Sequence, residues 1–235
     1  MIELNMTERA KETGIGLDSL QCRKFKRYYE LLISWNEKVN LTAITNAEDV
    51  AEKHFKDSMM IFDAIKVPQN AKVIDIGTGA GFPAVPMKIV AETLDVTLVD
   101  ALQKRVYFLK ELASGLELQM EVIHGRAEEL IREKNMRGGF DLAVSRAVAK
   151  LNTLAEYVLP YVKVGGSFVA WKGPSGMEEM EEAKNAIETL GAEFTGQKEY
   201  QLRSGEKRML LVFGKVRETA KEYPRKNAMI KSKPL

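Results

Sequence analysis

Residues 73 to 83 read VIDIGTGAGFP: a short apolar run, an acid inside it, then glycines at 77, 79 and 81. This stretch restricts the fold more than any other, because a strand must end there, turn tightly and open a helix. Glycine permits backbone conformations closed to other residues and lets a ligand approach where a Cβ would intrude. A turn with no ligand is the plain alternative for a lone glycine loop. The surrounding pattern is repetitive. Candidate strands lie at 72–76, 96–100, 120–124, 140–145 and 167–172, and helical patterns fill 82–92, 102–114, 126–134, 150–160 and 175–190. Alternation of this kind predicts a parallel sheet with helices on both faces, since parallel neighbours need a crossover.

Past Leu190 the pattern changes to two extended segments, 192–202 and 207–215, around Arg203, Ser204 and Gly205, which predicts a hairpin. The expected fold is therefore α/β, a mostly parallel seven-stranded sheet ending in an antiparallel hairpin. This is the Rossmann-like architecture of class I S-adenosylmethionine-dependent methyltransferases, whereas nicotinamide-binding domains usually lack the hairpin. Ahead of the first strand, Leu20, Phe25, Tyr28, Tyr29, Leu32, Trp35 and Val39 recur mostly three or four apart and predict a helix over 19–39. A second helix is expected from Glu48 to Ile65, with WNEKVNLTAI (35–44) supplying the turn.

The expected organisation is a helical cap at 1–66, the main domain at 67–215 and a basic tail at 216–235, together one globular unit. A chain of 235 residues fits a single core. The tail matters because the formal net charge of +2 hides it. Residues 215–235 hold seven Lys or Arg against two Glu, so they carry +5 and residues 1–214 carry −3. Such a segment suits phosphates, or else is a frayed, solubilising terminus. No apolar run reaches the length of a membrane span and the N-terminus lacks a signal-peptide stretch, so a cytosolic monomer is expected. Cys22 alone makes no internal disulfide, and with His54 and His124 it is too little for a zinc framework, so no metal is expected.

Three signals point to a nucleoside cofactor. The phosphate-binding pattern G-x-G-x-x-G would need glycine at 82, where the chain has Phe82. Asp75, two residues before the first glycine, would repel a pyrophosphate and attract a cationic amino group. Asp100 ends the next strand, where a carboxylate can accept from ribose hydroxyls, with Ala101 and Leu102 after it. Ala127 and Glu128 follow the third strand, where a free N–H and a carboxylate could read an adenine edge. Ordinary helix capping by Glu128 and Glu129 is the alternative. Gly77 and Gly79 of the loop belong to the same candidate site, and the three signals converge on the crevice at the strands' carboxyl ends.

The fourth strand, FDLAVSRAVAK, ends in Ser145, Arg146 and Ala147, without the Asp/Asn-Pro-Pro-aromatic pattern common in exocyclic-amine methylation. Methylation of a pyrimidine C5 needs a cysteine nucleophile, and Cys22 lies in the first predicted helix. A target that is already nucleophilic remains, such as guanine N7, for which positioning suffices. Arg146 could donate to a guanine O6 edge or to phosphate, or else form a structural salt bridge. Trp171, Lys172 and Gly173 could stack on or clamp a base, although a tryptophan there is more often core. Arg146 and Lys172 are thus catalytic candidates in a positioning sense. Arg203, Lys207, Arg208 and Lys226 are RNA-contact candidates. His54 and Asp57 stand near the cleft or merely join cap to sheet.

The sequences WNEKVNLTAI (35–44), HFKDS (54–58), DIGTGAGFP (75–83), LVDALQKR (98–105), GRAEEL (125–130), SRAVA (145–149) and WKG (171–173) together resemble the bacterial 16S ribosomal RNA guanine-N7 methyltransferases, also called glucose-inhibited division protein B. The resemblance covers about residues 20 to 215. It implies methyl transfer from S-adenosylmethionine, leaving S-adenosylhomocysteine, to N7 of one guanosine of 16S rRNA in a loop near the decoding site, with the small ribosomal subunit as partner. It also implies a cofactor site including Gly77, Phe82, Asp100 to Leu102, Ala127, Glu128 and Arg146. Ala84 and Ala101 depart from the family's usual glycine and serine, which leaves backbone contacts at 101. The competing readings are a methyltransferase for another RNA, a protein or a metabolite, a nicotinamide-dependent oxidoreductase, and a nucleic-acid-binding protein without catalysis.

Overall fold

The computed structural model describes residues 2–132, 136–146 and 149–235, with side chains from Met6 onward. Seven strands form one sheet in the order β3-β2-β1-β4-β5-β7-β6. They are β1 (Lys72–Ile76), β2 (Asp95–Asp100), β3 (Glu121–His124), β4 (Phe140–Arg146), β5 (Val162–Lys172), β6 (Ala192–Gln201) and β7 (Lys207–Lys215). The pairings among β1 to β5 are parallel, and β7 runs antiparallel to both β5 and β6. The fold is therefore the α/β sheet with a closing hairpin that the alternation predicts. β5 starts at Val162, five residues before the predicted bound, because Gly165 and Gly166 interrupt its apolar run without ending the strand.

Helices cover both faces: α6 (Ala84–Val90), α7 (Gln103–Gly115), α8 (Ala127–Leu130), α9 (Leu151–Val158) and α10 (Gly176–Thr189). The predicted helix at 126–134 is one turn long. Its residues 133–134, like Ala147 and Val148 of SRAVA, lie outside the described residues. Successive side chains on a strand face opposite ways. Val73 accordingly joins a core with Phe25, Tyr28, Phe55, Phe82 and Phe108, while Ile74 joins a second core with Leu151, Phe168, Ile187 and Phe213.

Ahead of β1 come α1 (Ile2–Glu12), α2 (Ser19–Val39) and a broken helical run: α3 (Ala47–Val50), a π-helical segment (Ala51–Lys56), α4 (Asp57–Met59) and α5 (Ile61–Ala64). Helix α1 has no counterpart in the sequence reading. Its signal, Met6 and Ala10 one turn apart and both fully buried, is diluted by charged neighbours. Helix α2 opens on a reciprocal capping box between Asp18 and Gln21. The Gln21 side-chain amide also donates to Ile89 O (3.2 Å) and Val90 O (3.1 Å), which fastens α2 to the carbonyl end of α6.

The basic C-terminal segment is a correction to the frayed or free-arm reading. Arg225 grips the fully buried Glu156 of α9 with Nε (2.9 Å) and Nη2 (2.7 Å), and Lys215 Nζ donates to Leu159 O and Leu190 O. Helix α11 (Asn227–Ser232) buries Ile230 in the core on the α9 side of the sheet. Two of the seven cations are thus spent inside the fold, and Lys226, at the start of α11, remains exposed.

Candidate active site

The sheet order reverses between β1 and β4, the place where open α/β sheets bind ligands beyond their carboxyl ends. Ser145 Oγ donates to Ile76 O (2.8 Å) and ties the two strand ends together there. Immediately beyond lies a cleft of about 740 Å³. Its walls come from the glycine loop (Gly77 to Ala80, Phe82), Leu41, Thr42 and Ile44, the π-helical segment (Lys53, His54, then Asp57), Arg146 at the end of β4, Trp171 and Lys172 at the end of β5 with Gly173 after them, and Arg208 on β7.

The glycine loop is braced from three sides. Gly77 N and Thr78 N donate to Val99 O on β2 (2.9 and 3.1 Å). Gly79 N donates to Asp100 Oδ2 (2.9 Å), and Leu102 N donates to Asp100 Oδ1 (2.8 Å). From the cap, Tyr28 donates to Ala80 O (2.5 Å). A Cβ on Gly81, where φ is +95°, would lie 2.7 Å from the Tyr28 hydroxyl oxygen, so glycine is required by close approach and conformation alike. At Gly79 (φ +61°) a Cβ would meet nothing within 4 Å and would stand in open space on the cleft wall.

Asp75 is fully buried. Its Oδ2 accepts from Thr78 Oγ1 (2.9 Å) and Ala84 N (3.1 Å), while Oδ1 has no partner. Burial raises its pKa from the ordinary 3.8 to about 7, against the opposing pull of those two hydrogen bonds.

Arg146 is held by three groups. Its Nη1 donates to Asp57 Oδ2 (2.8 Å) and Lys53 O (3.2 Å), its Nη2 donates to His54 Nδ1 (3.3 Å), and its Cζ lies 4.8 Å from the centre of the Phe82 ring. Asp57 is shared further, with Oδ1 accepting from Tyr200 (2.6 Å) and its carbonyl from the Trp171 indole (2.9 Å). His54 Nδ1 lies within hydrogen-bond distance of Lys53 O (3.2 Å) as well as Arg146, and Nε2 within that of Thr42 Oγ1 (2.9 Å), so both ring nitrogens are engaged. Burial, reinforced by the Arg146 charge, pushes the His54 pKa down to about 3, and the ring is neutral at pH 7. Burial, then the Asp57 carboxylate, raise that of Tyr200 against the pull of Arg146. A π-helical turn re-aims side chains relative to an α-helix and is frequent at functional sites. Here it directs His54 and Asp57 onto one guanidinium. Lys172 Nζ donates to Ala149 O (2.8 Å) and Glu179 Oε2 (2.7 Å).

Of the residues singled out from the sequence, Gly77, Gly79, Phe82, Arg146, Lys172 and Arg208 line this one cleft. Asp75 and Asp100 stand behind the loop, each accepting from it through Oδ2. Ala101 and Leu102 are exposed beside it, and Ala127 and Glu128 are buried at the start of α8. Arg203 pairs with Glu12 near the hairpin turn, and Lys207 is exposed. Tyr28, Thr42 and Tyr200 are missed by sequence reasoning. Tyr28 belongs to the aromatic stripe of α2, but nothing in that periodicity separates a loop anchor from an ordinary core residue.

A nucleoside bearing an amino acid fits these residues. Asp75 Oδ1 at the base of the loop and Glu128 Oε1 after β3 are both buried acceptors without a protein donor. Asp75 lies at the carboxyl end of β1 beside the crevice and suits an ammonium group, and Glu128 lies beyond the edge strand β3 and suits an amine edge. Among the described residues no group of three or more His, Cys, Asp or Glu gathers to hold a metal.

Sheet order, antiparallel closure and cleft together define a class I methyltransferase fold. The solved structure titled M. jannaschii TYW2 in complex with AdoMet is similar, with a TM-score of 0.52 at 16% identity, over 65% of this chain and 73% of that one. The family model of rRNA small subunit methyltransferase G matches residues 21–209, and the chain belongs to that family. Ribosomal RNA small subunit methyltransferase G of Streptococcus sanguinis is 46% identical over 226 residues, 95% of each chain. That of Clostridium perfringens strain SM101 is 43% identical over 232 residues, 98% of this chain and 97% of the relative.

Proposed function

We propose that the protein transfers a methyl group from S-adenosylmethionine to N7 of a guanosine in the 16S rRNA of the small ribosomal subunit. The carrying observation is that the cleft holds an anchored guanidinium and, among the described residues, no group free to take a proton. Its two lining carboxylates are committed, Asp57 to Arg146 and Tyr200, Glu179 to Lys172 and Leu151 N. His54 is neutral with both ring nitrogens engaged, and the cysteine lies in α2. Such a site suits a nucleophile that needs no deprotonation. The N7 lone pair of guanine takes the methyl directly, and the positive charge passes from sulfur to purine with no proton moved.

When bound, S-adenosylmethionine supplies the electrophilic methyl group. The residues that would hold it are the 77–82 loop and Asp75 at the amino-acid end, Asp100 to Leu102 at the ribose, and Ala127 and Glu128 at the adenine. Catalysis is then positioning. Arg146, fixed on three sides, offers its remaining donor capacity to a phosphate of the RNA. Lys53, Arg105, Lys150, Lys172 and Arg208 join it around the cleft, each paired with a carboxylate, and RNA phosphates would compete with those acids for them. The substrate implies a cytoplasmic site of action.

The test is a methyl-transfer assay with labelled S-adenosylmethionine on deproteinised rRNA and on small subunits from cells lacking the protein, with the product nucleoside identified by mass spectrometry. Label in 7-methylguanosine at one site supports the assignment. Label in another nucleoside, or donor binding with no transfer to either RNA, refutes it.

A further inference from the structure

The Phe82 ring is the centre of a stack. Tyr28, wholly inside the core, lies against it at 5.3 Å with an interplanar angle of 12°. His54 lies on it at 4.6 Å and 25°, and the Arg146 guanidinium at 4.8 Å. His54 and Arg146 are hydrogen-bonded to each other and both line the cleft. Their polar edges are largely spent: Nε2 on Thr42, Nδ1 on Arg146, Nη1 on Asp57 and Lys53 O. The imidazole and the guanidinium stand side by side in the cleft wall, and Leu41 and Ile44 supply apolar wall to the same space.

We propose that this His54–Arg146 layer is the stacking platform for the target purine, so that His54 is a base-binding residue and not merely a support for Arg146. The proposal rests on the methyl-transfer reading above and deepens it. Bases stack on aromatic faces and on guanidinium planes whatever their sequence context, and an electron-rich purine is favoured over a cation. The layer acquires a second property from the reaction. Guanine is neutral on arrival and a 7-methylguanine base is cationic, so Arg146 attracts the substrate ring and repels the product ring. The platform thereby favours release after transfer.

Stacking and hydrogen bonding are separable at position 54. His54→Phe and His54→Trp keep a flat ring without the bonds to Thr42 and Arg146; His54→Asn keeps polar groups without a ring. Each variant is assayed for kcat and KM on small subunits lacking the modification, with urea unfolding and labelled S-adenosylmethionine binding confirming an intact fold and donor site. The expected result is a loss in kcat/KM on the order of 10- to 100-fold for His54→Ala, from base–aromatic stacking. His54→Asn should lose as much, and one or both aromatic variants should recover at least about ten-fold over His54→Ala by that same contribution. Recovery by Asn and not by Phe or Trp overturns the platform and leaves His54 a positioning residue for Arg146. So does an equal loss in all four variants. Absence of any transfer by the unaltered protein overturns the functional reading itself and is distinguishable from either result.

Discussion

Asp75→Asn should make the ligand-free protein more stable at neutral pH while weakening its hold on the donor. The Asp75 carboxyl has no exposure, and one of its two oxygens has no donor. Its folded pKa of about 7 lies above the 3.8 of an unburied aspartate. Below pH 3.8 both states hold the proton and the folded form has no disadvantage. Between there and pH 7 the unfolded chain releases its proton while the folded one retains it, so stability is lost as pH rises through that window. Three pH units correspond to about 4 kcal/mol as an upper order of magnitude. Asparagine keeps the shape and does not titrate. Urea unfolding of both proteins at pH 4.5, 6 and 7.5 should therefore show the variant gaining on the unaltered chain by a margin that widens with pH. Saturating S-adenosylmethionine should stabilise the unaltered protein more, since an ammonium beside Oδ1 pairs only with a carboxylate. A stability difference independent of pH would refute the description of a desolvated, half-partnered carboxyl.

Gly81→Ala forces a Cβ against Tyr28 and Val85 at positive φ, and should lower stability by about 1–3 kcal/mol in urea unfolding. Gly79→Ala meets no neighbour, so its stability loss should be nearer about 1 kcal/mol. Its larger effect should be weaker donor binding, measured by equilibrium titration. Arg225→Met leaves Glu156 buried without its cation and should destabilise by about 3–5 kcal/mol, although the site lies on the sheet face away from the cap. Lys215→Met removes one of the two donors to each of the carbonyls of Leu159 and Leu190, which keep Val162 N and Thr219 Oγ1, and should remove about 0.5–1.5 kcal/mol at pH 7. Burial lowers the Lys215 pKa to about 8, so at pH 7 the charged form carries a desolvation penalty that fades as pH rises from 8 toward 10.5. The destabilisation caused by Lys215→Met should grow over that range.

Local pattern reveals the elements and hides their long-range partners. The KVIDI strand is found at its predicted bounds because an apolar run bounded by an exposed lysine and a glycine loop leaves one reading. Helix α1 is lost because Met6 and Ala10, its buried apolar side chains among the described residues, stand among charged neighbours and give too little periodicity. The carboxylates at 75 and 100 are legible as functional types, yet their bracing of the loop depends on backbone amides at 79, 84 and 102, which no residue identity encodes. His54 and Asp57 look like any two polar residues of a helix until the π-helical turn brings them to Arg146, about ninety residues away. The C-terminal cations mislead for the same reason: Glu156, which captures Arg225, lies 69 residues upstream.

Asp57, one of the groups that fix Arg146, is bonded in turn to Tyr200, 143 residues later, and the cleft wall is completed by Arg208 on the last strand. The glycine loop is polymerised when about a third of the chain is made, far ahead of the strand pair that finishes the cleft. Chains fold from the N-terminus as they emerge, and contacts of such sequence separation form late. A nascent polypeptide halted before β6 thus possesses the methyl-donor loop but neither Tyr200 nor Arg208. Competence arrives only with the final segment, so an enzyme whose substrate is ribosomal RNA is incomplete for most of the time it spends tethered to a ribosome.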